Sequence, residues 1–294
     1  LNDIVKTKDW RFTFSFNISQ NENKVNEFPS NLDMENYEFD NGKYAYLIMS
    51  GNPLGSFYGY RYKGVYQNTE DTYARDLNGN IINDINGKPV VVQNGTEKVY
   101  PGDAKYEDIN GDGVIDANDI VYLGNYSPKI IGGFNFRLSY KNWQLSANFQ
   151  GRVGQKVFNQ TRLNSEMMRG KSNQSTATLR RWRNEGDVTD MPRALYGRGY
   201  NSLGSDRYIE DASFLRMKTI TLKYSFPKNL TKKMLTAFDL YLTAYDLLTF
   251  TKYSGQDPEV SEKKMDDSGI VRLAVDGAST PKPIRVKFGI NLRF

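Results

Sequence analysis

Apolar and polar residues alternate with period two through much of this chain. The cleanest stretch is 284–294. There Ile284, Val286, Phe288, Ile290, Leu292 and Phe294 hold the even positions, and Arg285, Lys287, Gly289, Asn291 and Arg293 hold the odd ones. Successive side chains of a strand point to opposite faces, so the segment predicts one greasy face and one wet face. Its length fits the ~9–11 residues of a tilted membrane-crossing strand and is about twice that of an ordinary soluble strand. The same alternation sets Trp10, Phe12, Phe14, Phe16 and Ile18 against Arg11, Thr13, Ser15 and Asn17. It recurs with Phe134, Phe136, Leu138 and Tyr140, with Trp143, Leu145, Ala147 and Phe149, with Ile220, Leu222, Tyr224 and Phe226, and with Phe238, Leu240, Leu242 and Ala244.

These patterns predict about eight strands, near 10–19, 43–50, 55–66, 133–141, 142–152, 214–226, 237–250 and 283–294. Their connections alternate long and short. Residues 20–42, 67–132, 153–213 and 251–282 are long, whereas 51–54, 141–142 and 227–236 are short. Outer-membrane barrels have short turns on one side and long loops on the other. A soluble sandwich has no reason to obey that parity. The expected fold is therefore all-β, a transmembrane antiparallel β-barrel with long extracellular loops. An open sheet would leave two bare edges in lipid, so the strands are expected to be part of a larger barrel. The 284–294 strand, ending on Phe294, is expected to serve as the signal read by the barrel-assembly machinery.

Composition narrows the chemistry. The 294 residues are 38% hydrophobic and 13% aromatic, with 20 Tyr and 16 Phe. That suits a wall that is apolar towards lipid and polar inside. No run approaches the ~20 apolar residues of a membrane helix. Cys and His are both absent, which removes disulfides, thiol chemistry, His-ligated zinc and Ser-His-Asp catalysis. A non-enzymatic role is expected. The net charge of +5 is scattered, and Arg180-Arg181-Trp182-Arg183 is its densest run. With no recognition motif beside it, this run reads as a solvated loop, and no nucleic-acid partner is expected. Leu1 is not an initiator Met and no leader-like segment opens the chain, so a piece of a longer polypeptide is expected.

One loop has the makings of a cation site. Residues 108–119 read Asp-Ile-Asn-Gly-Asp-Gly-Val-Ile-Asp-Ala-Asn-Asp. Aligned on an EF-hand loop, Asp108, Asn110, Asp112, the Val114 carbonyl, Asp116 and Asp119 take the ligand positions, and Gly113 takes the turn position. Calcium binds hard oxygens, which this set supplies. Asp119 stands where a longer Glu is usual, and no helix pair flanks the loop. A structural Ca²⁺ that stiffens a long outer loop is expected. The competing reading is a polar turn that binds nothing.

Several strings go beyond general pattern. Gly51-Asn-Pro-Leu-Gly-Ser-Phe-Tyr-Gly-Tyr60 is followed by Gly64-Val-Tyr-Gln67. Pro101-Gly-Asp-Ala-Lys-Tyr-Glu-Asp108 runs into Ile109-Asn-Gly-Asp-Gly-Val-Ile-Asp116. Leu123-Gly-Asn-Tyr-Ser-Pro-Lys129 precedes Gly133-Phe134, and Tyr245-Asp-Leu-Leu-Thr-Phe250 precedes Tyr253-Ser-Gly-Gln-Asp-Pro-Glu259. From about residue 51 onward this resembles SusC/RagA-like TonB-dependent outer-membrane transporters. The resemblance implies the C-terminal part of a barrel of about 22 strands. It also implies a plug domain and a TonB box, both outside this chain, and a SusD-like surface lipoprotein as lid. The implied activity is import of oligosaccharides or peptides across the bacterial outer membrane, driven through TonB.

Three aromatics in the long loops, Trp182, Tyr196 and Tyr200, are candidates for ligand stacking, and packing between loops is the competing reading. The pairs Asp187/Asp190 and Glu210/Asp211 have the residue types of a glycosidase, but nothing in the sequence sets their separation. Two other functions stay open at this point. One is a barrel acting mainly as a docking or assembly component. The other is a soluble, calcium-stiffened β-sandwich that binds glycans.

Overall fold

Seven antiparallel strands form one continuous sheet in a computed structural model of the chain, which describes residues 2–27, 38–45, 49–227, 235–260, 263–265, 271–278 and 280–294. They are β1 (Asn2–Lys6), β2 (Trp10–Gln20), β3 (Ile130–Tyr140), β4 (Trp143–Val153), β5 (Phe214–Ser225), β6 (Ala237–Thr251) and β7 (Arg285–Arg293). Each pairs with its neighbours in chain order. Among the described residues no helix is long and apolar enough to cross a membrane.

Register explains the sequence pattern. Phe12, Leu138, Leu145, Leu222, Leu242 and Phe288 stand opposite one another in a single row across six strands. The adjacent row on the other face is Thr13, Arg137, Ser146, Thr221, Thr243 and Lys287. A one-residue slip anywhere would put a greasy side chain in the wet row. In the apolar row Leu222, Leu242 and Phe288 are 42%, 48% and 63% exposed and Phe12, Leu138 and Leu145 are half-buried, whereas in the polar row Thr13 and Thr243 are buried and the long Arg137 and Lys287 reach into the open. A soluble sandwich would bury its apolar face. Here no second sheet covers that face among the described residues.

Aromatic rings gather at the short-turn end. Trp10 lies 4.4 Å from Tyr140, Trp143 lies 4.7 Å from Tyr224, and Phe226 stacks on Phe238 at 4.4 Å. Amphipathic rings favour the membrane–water boundary, and such girdles frame the lipid-facing band of a barrel. Eleven residues rise ~36 Å along a strand, and a tilt near 40° brings that to about 27 Å, close to the height of the band.

The expected strands near 43–50 and 55–66 do not belong to this sheet. Of the first, 46–48 lies outside the described residues, and its described part makes only an isolated bridge from Ala45 to Tyr58. The second breaks into two short strands, Ser56–Gly59 and Tyr62–Val65, which pair with Val121–Asn125 and Ala104–Tyr106. Their apolar residues are buried within the loops, so the alternation there reflects a local core and not a lipid face. Conversely, β1 was not expected from the sequence, because Asn2–Lys6 is too short to show a period by itself. With seven strands in place of eight, the parity survives. Residues 7–9, 141–142 and 226–236 connect at one end, and 21–129, 154–213 and 252–284 at the other.

The hydrophobic core of the described chain sits in those long segments. One cluster joins Tyr44, Phe57, Phe158, Leu163, Tyr208 and Val275, drawn from all three of them. A second gathers Tyr60, Tyr66, Val92, Tyr106, Ile115 and Leu203. Contact between the segments is backbone-close: Tyr60 N–H donates to the Gly204 carbonyl at 2.9 Å, and a Cβ on Gly59 would collide with that same carbonyl. Lys156–Asn159 pairs with Ile209–Asp211 and, in parallel, with Val275–Asp276. The loops are thus one packed outer assembly.

Face assignment yields a test. Leu222→Arg, in mid-strand on the apolar face, should cost about 2–4 kcal/mol of folding stability in lipid vesicles, measured by reversible denaturant unfolding. Thr221→Arg, one residue away on the wet face, should cost much less. Equal losses would contradict the assignment.

Candidate functional site

A bulge brings charge to the wet face where the sheet meets the outer assembly. Simple alternation from Leu222 through Ile220 would place Lys218 among the greasy side chains. The pairing skips it: Phe149 faces Met217 while Asn148 faces Thr219. On the other side Met217 pairs with Leu248 and Thr219 with Tyr245, leaving Asp246 and Leu247 in the bulge, with Asp246 at φ 51. An extra residue kinks a strand and re-aims its side chain. Lys218 Nζ reaches Glu259 Oε2 at 2.8 Å.

Arg216, two residues away and 4% exposed at its side chain, is the centre of this site. Its guanidinium donates to Asp257 Oδ1 at 2.6 Å, to Glu259 Oε2 at 3.0 Å and to Thr249 Oγ1 at 2.9 Å. Lys282 also pairs with Glu259. The Gln-Asp-Pro-Glu string of the 252–284 segment is thereby fastened to the barrel-type wall. Burial alone would raise the carboxyls of Asp257 and Glu259. Hydrogen bonds from Arg216 to the first, and from Lys218 and Lys282 to the second, outweigh burial and hold both below the usual carboxylate range.

A second joint explains the Pro-Gly-Asp string. Asp103 receives Nε and Nη2 of Arg193 at 2.7 and 3.1 Å, the Tyr100 N–H at 2.8 Å and the Asn201 amide. It ties the 21–129 segment to 154–213 in a forked, charge-assisted geometry. Gly102, at φ +88, lies against the Trp182 indole so closely that a Cβ would sit inside the ring. Glycine is required there both for space and for backbone conformation.

The expected stacking aromatics part company. Trp182 is buried on Gly102, and Tyr200 packs edge-on against Phe39 at 4.9 Å, so both hold loops together. Tyr196 is 66% exposed, and Tyr200, half-buried, lines a cleft of about 300 Å³ with Tyr100, Arg193 and Arg198, so these two stay open to a ligand. The carboxylate pairs are also structural. Asp187 accepts the Arg183 and Asn184 N–H groups, and Glu210 is paired with Arg162 and bonded by Ser254. In the 284–294 strand Ile284, Val286, Phe288, Ile290, Leu292 and Phe294 are all exposed.

In the 108–119 loop, Asp108 accepts N–H groups of Gly111 and Gly113 at 2.8 Å each, and Asp112 that of Val114 at 2.8 Å. Asn110 bonds Asp112, and Asp116 bonds Asn118. Asp119 is buried and accepts from Ile109 and Asp116 at 2.7 and 2.9 Å. Val114 lies in a short strand paired with Gln93. Among the described residues no three acidic side chains converge as a metal-holding group. Burial pushes the Asp119 carboxyl up, and the charges of Asp108 and Asp116 add to that against its hydrogen bonds.

A cleft of about 950 Å³ lies elsewhere in the outer assembly, between the strand Tyr62–Val65 and residues 179–190.

An antiparallel sheet that turns its greasy face outward, aromatic at one rim and loop-packed at the other, defines a wall of the outer-membrane barrel type. The comparisons agree on the class. The chain is 29% identical to "TonB-dependent receptor P3" and 30% identical to "TonB-dependent receptor P26", both of Formosa agariphila. It is 26% identical to "TonB-dependent receptor SusC" of Bacteroides thetaiotaomicron. Each match takes in 99% of this chain but 27%, 28% and 25% of the relative, so the chain spans about a quarter of their length. No protein-family model matches. In fold it resembles the RagAB peptide importer in its closed-closed state, with TM-score 0.68, 24% identity, and coverage of 99% of this chain and 28% of that one. On sequence and fold together, the chain is similar to SusC/RagA-like TonB-dependent receptors along its whole length.

The Arg216 joint gives a prediction. Arg216→Ala leaves the half-buried Asp257 without its cation and Glu259 with its lysines alone, and should cost about 3 kcal/mol, with tryptic cleavage inside 252–284 rising in step. Both carboxyls are depressed in the folded state. Their contribution is therefore full above the ordinary carboxylate range and is lost as pH falls through the lower, folded values. Protease access to 252–284 should rise on acidification below about pH 4, and Arg216→Ala should flatten that rise. Cleavage indifferent to both would remove the joint's role.

Proposed function

We propose that this chain forms part of the wall and outer loop assembly of an active importer in the bacterial outer membrane. The observation that carries the reading is the apolar row held opposite a polar row in register over six strands, with no second sheet covering the apolar face among the described residues. The names of the relatives support it. In this reading the apolar rows meet outer-membrane lipid, and the free edges of β1 and β7 pair with further strands, since bare backbone is not tolerated in hydrocarbon. The apolar run from Ile284 to Phe294 is what the barrel-assembly machinery reads. TonB supplies the energy through parts outside this chain. The cargo is an oligosaccharide or a peptide, and a SusD-like surface lipoprotein covers the loop side. The name of the RagAB peptide importer favours peptide.

The test is uptake of labelled oligopeptides and oligosaccharides by cells carrying the whole receptor, with and without TonB. TonB-dependent uptake of one of them supports the proposal. Uptake that does not change when the receptor is deleted would reject it and leave a docking role.

Calcium remains part of the proposal for the 108–119 loop. Its support is the run of hard oxygens at Asp108, Asn110, Asp112, Asp116 and Asp119, together with the negative charge that Asp108 and Asp116 place on the Asp119 carboxyl, which a divalent cation would offset. Titration calorimetry on the whole receptor should show Ca²⁺ binding near 10⁻⁴ M, weakened at least tenfold by Asp112→Ala. Absence of heat, together with a melting temperature unmoved by chelator, would leave the loop a turn held by its own hydrogen bonds.

A further inference from the structure

We infer that the cleft of about 300 Å³ beside Tyr100 and Tyr200 binds a neutral sugar ring of an oligosaccharide. The inference rests on the importer reading and chooses between its two cargo classes, against the one that the structural neighbour's name suggests. The cleft lies in the outer assembly, where the 21–129 segment meets 154–213. Its volume is at the small end of ligand pockets, with room for the end of a chain.

Two tyrosine rings line it. Tyr100 is fixed from behind: its backbone N–H donates to Asp103 at 2.8 Å, and the Arg193 guanidinium lies 5.4 Å from the centre of its ring. Arg193 is itself forked onto Asp103. Tyr100 is still 58% exposed, so the ring face away from Arg193 is open. Tyr200 is steadied by the Phe39 ring at 4.9 Å and by its own carbonyl, which accepts the Tyr106 hydroxyl at 3.2 Å. Side chains already held by the fold lose little freedom when a ligand stacks on them. The C–H face of a pyranose is a flat apolar partner for such rings.

One polar group in the lining has no answer within the protein. Asn94 is 4% exposed, and its Oδ1 has no hydrogen-bond partner among the described residues. A buried acceptor left unpaired carries a desolvation cost that a ligand donor would remove. Arg198, exposed in the same lining, supplies donors. A hydroxyl both donates and accepts, so neighbouring sugar hydroxyls can satisfy both side chains. A carboxylate or phosphate has no hydrogen to give Asn94. A peptide is disfavoured by the backbone: the lining strands Gln93–Asn94 and Glu97–Lys98 are two residues each and pair with one another. They are too short to template an extended chain.

The experiment titrates the whole receptor in detergent micelles with four neutral hexasaccharides, an α-glucan, a β-glucan, a β-mannan and a β-xylan, by calorimetry. At least one should bind with a Kd of about 1 mM or below. Tyr100→Ala should weaken that sugar about tenfold, and Tyr100→Phe should hold it within about twofold. Asn94→Leu, similar in shape, should weaken it about fivefold while the unfolding midpoint holds or rises, because the orphaned acceptor is gone. An asparagine with a purely structural role would instead lower the midpoint and leave binding alone. Binding by none of the four, or wild-type affinity in Tyr100→Ala or in Asn94→Leu, would overturn the inference. A Ser/Gln decapeptide that displaces the sugar and is weakened equally by Tyr100→Ala would overturn the sugar assignment. Binding is measured without TonB. Tyrosine-dependent binding without any TonB-driven uptake therefore counts against the importer reading alone, and TonB-driven uptake of peptide with no sugar bound counts against this inference alone.

Discussion

Backbone hydrogen bonding in a medium without water is the constraint on which the rest of this structure depends. A strand in hydrocarbon must pair on both sides, so neighbours cannot part and the register cannot drift. The pairing of β2 through β7, interrupted at the bulge around Lys218, Asp246 and Leu247, meets that demand within the chain. It also aligns side chains into rows, and the rows divide cleanly into greasy and wet. Apolar burial within the chain contributes little to this sheet, since none of the large residues of its central apolar row is fully buried. Ladder hydrogen bonds and cross-strand pairs do that work, and lipid takes the place that a second sheet has in a sandwich.

The outer assembly follows the opposite logic. Its short strands are fragments of two to five residues, and no single segment has enough apolar surface to fold by itself. The three long segments share clusters built around Tyr and Phe. Two ionic joints then set how the segments meet each other and the wall. Asp103 with Arg193 and Asn201 locks the first segment to the second. Arg216 with Asp257 and Glu259 locks the third to the sheet. Buried ion pairs of this kind specify an arrangement more than they add stability, because desolvation offsets much of their attraction. Here they fix loop positions above a wall whose own rigidity comes from elsewhere.

The family-like strings acquire physical reasons in this setting. Gly102 is glycine because Trp182 occupies the space of a Cβ, and Asp103 is acidic because Arg193, the Tyr100 backbone N–H and the Asn201 side-chain amide all donate to it. Asp257 and Glu259 are acidic because Arg216 and Lys218 reach them through a bulge. None of these side chains is free to act on a substrate. The strings therefore mark the construction of the outer assembly.

What the sequence by itself determined is the wall: which segments are long strands, which face of each is greasy, and which ends carry long loops. Period-two alternation is a local property, and the strand that makes it is straight, so it can be read one residue at a time. It misled at 55–66, where the same alternation served a small core inside the loops, and it was silent at Asn2–Lys6, where the strand is too short to show a period. The joints were decided only by the tertiary structure. Arg216 and Glu259 are 43 residues apart in the chain, and Asp103 and Arg193 are 90 apart. No local pattern pairs them, because each partner is brought into place by the folding of everything between. The same holds for Trp182, whose aromatic character suited a ligand as well as a core until Gly102 was in place beneath it.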